Sequence, residues 1–191
     1  MGTLSGGHIL TPPPSKKTLG ITRSTLLLAL LLSAGIGHAQ SVEQQIKTAF
    51  LYHFCSYVQW PEHDSSPKQT HVTMGVAASA KTIRSIRETL EHKDNKKCVF
   101  HVRPIKPGDD LSDVKILYIA QKSQFTLEDF VSLNPIPPIL TITDEEKLSN
   151  TSMINFVIRD DRVRFVISKS RADQAGLKLS SELLAVALQV N

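Results

Sequence analysis

Most of the residue patterns that announce catalysis or metal binding are missing from this sequence. It holds two cysteines and one tryptophan, and aromatic residues make up 6% of it. It has no GxSxG elbow, glycine-rich phosphate loop, HExxH or CxxC, so the local signatures of serine hydrolases, phosphate-cradling loops, zinc proteases and dithiol redox centres are absent. Beyond residue 40 the histidines are His53, His63, His71, His92 and His101, and no two stand at i and i+4 on one helix. A structural metal site needs about four converging ligands, and no local cluster supplies them. His53 and Cys55 lie two helical positions apart, which turns their side chains about 200° away from each other and makes a poor base and nucleophile pair. The acidic run Asp144, Glu145 and Glu146 reads as a solvated turn or helix end.

Long apolar runs are also missing. The longest begins at Leu26 and ends near Ile36, about half of the roughly 20 residues that span a bilayer. Lys16, Lys17 and Arg23 are the only charges before it, and Gly37 and Ala39 are small residues at the positions a signal peptidase prefers. Residues 1–39 are therefore expected to form an export signal cleaved between Ala39 and Gln40, leaving residues 40–191 outside the cytoplasm. The signal carries three of the 22 basic residues and none of the 18 acidic ones, so 19 face 18 in the remainder. That near-neutral balance lacks the basic excess of a nucleic-acid binder.

About 150 residues suffice for one domain with its own core. Val42, Ile46, Phe50, Phe54 and Tyr57 recur at helical spacing until Pro61, predicting a first helix. Runs of strand length follow at Val72 to Ala77, Cys98 to Arg103, Val114 to Ala120 and Pro138 to Ile142. Helical patterns occur from Ser79 onward and over Phe125 to Leu133. Met153 to Ile158 and Arg162 to Ile167, separated by three residues, form a hairpin signal. A short helix over Lys169 to Ala175 closed by Gly176 and a last apolar helix over Ser180 to Val190 complete the pattern. Strands alternating with helices imply a single three-layer α/β domain, with a mixed, mostly parallel sheet, a C-terminal β-hairpin and flanking helices.

The candidate functional residues are surface candidates. Phe50, Tyr52, Phe54, Tyr57 and Trp60 crowd eleven positions. They suit core packing, or a partner surface on which Phe54, Tyr57 and Trp60 are anchors. Leu183 and Leu188 belong to a last helix with more apolar residues than one narrow stripe needs, so part of it can meet the aromatic helix in a shared surface. Arg162 and Arg164 alternate with Val163 and Phe165, which places Arg164 on the solvent side of its strand, able to meet an acidic group. Cys55 and Cys98 are either a disulfide, favoured by an oxidising compartment, or two packing residues, with Cys98 the more exposed thiol.

The sequence resembles the YfiR-like family of periplasmic regulators. The likeness lies in Lys47, Ala49, Phe50, Leu51, Tyr52, Phe54, Val58, Trp60 and Pro61, in the run Leu111 to Ile119, in Met153 to Val157 and Arg162 to Phe165, and in Ala175 to Leu184. It implies a non-enzymatic protein without cofactors that restrains an inner-membrane diguanylate cyclase through the cyclase's periplasmic part, forms a homodimer, and is sequestered by an OmpA-like outer-membrane lipoprotein. A disulfide that some relatives form falls here on Thr73 and Val114 and has no counterpart. Where a pair of glycines is common before Met153, this chain has Ser149, Asn150, Thr151 and Ser152. A small-ligand receptor using the crevice at the strand ends is the alternative.

Overall fold

A computed structural model of the chain describes residues 42–61, 70–92, 97–131, 135–145 and 151–191, together with Gly2. The expected export signal and its cleavage position lie outside the described residues. Leu51, Phe54, Cys55 and Val58 turn one face of helix α1, residues 42–57, into the interior. The chain then passes through the short strand β1 (Val58–Gln59), β2 (Thr70–Ala77), α2 (Ala80–Glu91), β3 (Cys98–Pro104), β4 (Val114–Ile119) and a 3-10 turn (Leu127–Asp129) to β5 (Leu140–Thr143). The second half holds the hairpin β6 (Ile154–Arg159) and β7 (Arg162–Ile167), then α3 (Lys169–Gln174), β8 (Lys178–Leu179), α4 (Ser181–Val186) and β9 (Gln189–Val190).

Seven strands form one sheet in the order β3-β2-β4-β5-β6-β7-β9. The first five run parallel, β7 returns antiparallel to β6, and β9 runs parallel to β7. Moving outward from β2 to β3 and then back past β2 to β4 gives the doubly wound order, whose switch point falls at the carboxyl ends of β2 and β4. Alternation along each strand feeds two cores. One contains Met74, Val76, Ile116, Tyr118, Leu140, Ile142, Phe156 and Phe165, with buried residues of all four helices. The other contains Ala77, Leu117 and Ile119, and is closed by the 3-10 turn and by Ile105 from the β3–β4 connection. Ile105 lies so close to Gly75 that a Cβ there would approach its side chain to 3.0 Å. Residues Gln40–Asn191 make one compact unit.

Two predicted helices come out shorter. Of the segment expected to be helical from Phe125 to Leu133, the described residues 125–131 hold only the 3-10 turn, with reciprocal Thr126 and Asp129 capping, and Pro135, Pro137 and Pro138 follow, where helix cannot continue. The last helix ends at Val186 rather than Val190. Ala187 turns extended, and the Leu188 N–H donates to the Phe165 carbonyl at 2.8 Å. Pairing β9 with the outer edge of β7 satisfies backbone groups that a longer helix would leave open. The predicted closure of α3 by Gly176 matches the structure: Gly176 has φ +74°, with hydrogen bonds from Gly176 to Asp173 and from Leu177 to Ala172, a Schellman arrangement.

Candidate interaction surface and its supports

Three of the residues expected on a partner surface belong to the core. The Phe54 ring stacks on Phe156 and meets Phe165 edge-on at 5.2 Å. Trp60 is buried and donates its indole N–H to the Lys115 carbonyl at 3.3 Å, and Leu183 is buried under α4. The physical reason is that α1 and α4 lie on the sheet's larger apolar face, where Phe54 and Leu183 fill their inward stripes and Trp60, just after β1, packs into the same cluster. Tyr57, 37% exposed, and Leu188, 43% exposed, do reach the surface. The two chain regions are neighbours, because the Ser180 N–H donates to the Tyr57 carbonyl. Phe50 of α1 meets the Phe165 ring at 5.3 Å while Leu188 bonds the Phe165 backbone. Val42 and Ile46 on α1, and Val186 and Val190 beside Leu188, are further exposed apolar residues.

At the carboxyl end of β5 lies a charge that the sequence pattern misplaced. Asp144 is buried instead of solvated, and Lys47 donates to both of its carboxylate oxygens at 2.8 and 2.7 Å while also pairing with Glu43. Burial pushes the Asp144 carboxyl above its usual range and Lys47 pulls it back. The Tyr118 hydroxyl donates to the same carboxylate at 3.4 Å and is held well above the ordinary phenol range, first by burial and then by the Asp144 charge. The signal for this pair was present in the sequence: Lys47 lies four and seven positions before Leu51 and Phe54, inside the buried stripe, where an ammonium requires a counter-ion. Nearby, Asn155 accepts from Thr143 and from the Glu145 N–H and donates to the Glu145 carbonyl, fixing the chain as it leaves β5. With both oxygens of Asp144 engaged by Lys47, this cluster serves as a tether between α1 and the sheet.

A disulfide joins Cys55 of α1 to Cys98, the first residue of β3, with Cα atoms 6.5 Å apart. Both residues are buried, so Cys98 is not the exposed thiol expected from its lysine neighbours. Thr73 and Val114 are register partners on β2 and β4.

The β6–β7 hairpin presents its charge on one face. Arg159 stands directly opposite Arg162, and Arg164 opposite Val157. Residues two apart on a strand share a face, so the three arginines do too, and all three are exposed. Asp160 and Asp161 form the turn with φ +50° and +56°. Among the described residues no three His, Cys, Asp or Glu side chains converge as metal ligands, and no helix is long and apolar enough to cross a membrane.

The sheet order and the two-sided core place the chain among mixed α/β domains of doubly wound order. More narrowly, it belongs to the YfiR/HmsC-like family, which it matches over residues 44–188. That family is periplasmic, regulatory instead of catalytic, associated with control of cyclic-di-GMP synthesis, and acts with a diguanylate cyclase partner. No curated protein matches the sequence.

Proposed function

We propose that this chain is an exported periplasmic adaptor that modulates an inner-membrane diguanylate cyclase by binding the cyclase's periplasmic part, without catalysis or a cofactor of its own. The observation that carries the reading is the family match, which runs from α1 to Leu188 and so takes in nearly the whole described domain. Exposed Tyr57, which bonds Ser180, and exposed Leu188, which bonds Phe165, support a homodimer or partner contact through apolar surface residues. An OmpA-like outer-membrane lipoprotein is the proposed competitor that sequesters the adaptor. Capture of detergent-solubilised inner-membrane proteins on the purified protein, read by mass spectrometry, tests the reading. Recovery of a membrane protein with a cytoplasmic cyclase domain supports it, and recovery of this chain alone sinks it.

A further inference from the structure

We propose that the arginine face of the β6–β7 hairpin docks an extended acidic segment of a protein partner. This deepens the adaptor reading and rests on it for the kind of partner. Arg159 and Arg162 are direct cross-strand neighbours and Arg164 follows Arg162 on the same face. Opposed side chains on paired strands stand about 5 Å apart and alternate positions about 7 Å apart. Arg162 and Arg164 therefore stand at the spacing of carboxylates on every second residue of an extended peptide, with Arg159 beside Arg162 across the hairpin. Like charges placed directly opposite are destabilising, and no ion pair or hydrogen bond among the described residues relieves them, not even from Asp160 or Asp161. Guanidinium groups bind carboxylates through two parallel hydrogen bonds, so an acidic strand would both neutralise and orient on this face. An anionic membrane fits less well. Lipid surfaces are recognised by clusters of about 4–8 basic residues, whereas this hairpin has three with two aspartates in its turn, and residues 40–191 carry 19 basic residues against 18 acidic ones.

The test uses a fluorescein-labelled peptide with glutamate at alternate positions, titrated with the purified protein and followed by anisotropy. The wild type should bind it, weaken as salt rises from about 50 to about 300 mM, and leave phosphatidylglycerol vesicles unbound. Replacing all three arginines by glutamine should weaken peptide binding at least about tenfold, while three lysines should restore only part of it, because charge is kept and the bidentate geometry lost. If the triple variant does not melt cooperatively, Arg164→Gln alone should weaken binding about threefold or more. No binding by the wild type, equal binding by the variants, or vesicle binding that the glutamine variant abolishes would each overturn the proposal, the last by naming a membrane as the occupant. The peptide assay needs no cyclase. It can therefore fail while membrane capture succeeds, or succeed while capture fails, so the two readings fall separately.

Discussion

Lys47 is the residue where a sequence rule and its exception meet. A lysine inside an apolar helical stripe is costly unless paired, and its partner Asp144 lies 97 positions away in a run that looks like a solvated turn. Removing Asp144 leaves the buried Lys47 only the partly exposed Glu43 as counter-ion. Asp144→Ala should accordingly lower stability by about 3–5 kcal/mol, and Lys47→Met with Asp144→Leu should recover most of that, as measured by urea denaturation. The pH dependence has a defined sign. With Lys47→Met the Asp144 carboxyl loses its main cation, and its folded-state pKa rises further above the unfolded one. The folded state then holds the proton more tightly than the unfolded state. Stability from this group is full below the ordinary carboxylate range and is lost as pH rises through the raised value. Melting curves between about pH 3.5 and pH 8 should therefore show the deficit of Lys47→Met, relative to wild type, growing with pH; a shrinking deficit would contradict the assignment. The cysteines pose a different limit. Their separation of 43 residues permits a bond without requiring one. The chain-entropy argument gives about 4 kcal/mol for closing such a loop, and measured values often fall below it. Cys55→Ala with Cys98→Ala should lower stability by about 2–4 kcal/mol. Denatured, unreduced wild type should show no free thiol.

β4 was legible as an element because it is an apolar run of strand length covered on both faces, whereas edge strand β3 alternates buried and exposed residues. Leu117 and Tyr118 point into opposite cores, and both are fully buried. What escaped was pairing at the margins. Gln189 and Val190 read as the end of a helix because nothing nearby in sequence says that the edge of β7 is open, and only the folded sheet supplies that partner. Deleting residues 188–191 should lower the melting temperature and increase light scattering by uncovering β7, as an unpaired edge templates self-association. The opposite edge is guarded by side chains. Glu91 accepts from the Val102 N–H at 2.7 Å and Arg87 donates to the Val102 carbonyl at 3.0 Å, while Pro104 offers no N–H. The hairpin was visible in its alternation, but not the geometry of its turn. Both aspartates take left-handed backbone at the two central positions, where glycine is favoured at the second. Asp161→Gly should stabilise the protein by up to about 1 kcal/mol in thermal or urea melts, since a left-handed non-glycine residue costs about 1–2 kcal/mol.

At the scale of the whole molecule, alternating strands and helices were enough for a mixed α/β domain, and the blocks around Phe54, Leu117, Phe165 and Leu183 were enough for the family. The docking surface was much less legible. Aromatic and leucine residues mark interfaces and cores alike, and only burial separates Trp60 and Leu183 from Tyr57 and Leu188. Charge is easier to place, because alternation alone puts Arg164 outside. The helices, the Lys47–Asp144 pair and the disulfide all secure one face of the sheet, and in the proposed function the output passes through a bound partner. The central claim is that this output is cyclic-di-GMP made on the far side of the inner membrane. Its most direct measurement is the cellular cyclic-di-GMP level after deletion of this chain, in cells with and without the cyclase that the purified protein captures. The account predicts a change of several-fold on deletion, restored by the intact chain and abolished when that cyclase is also absent. An unchanged level, or a change that persists without any captured cyclase, would contradict it.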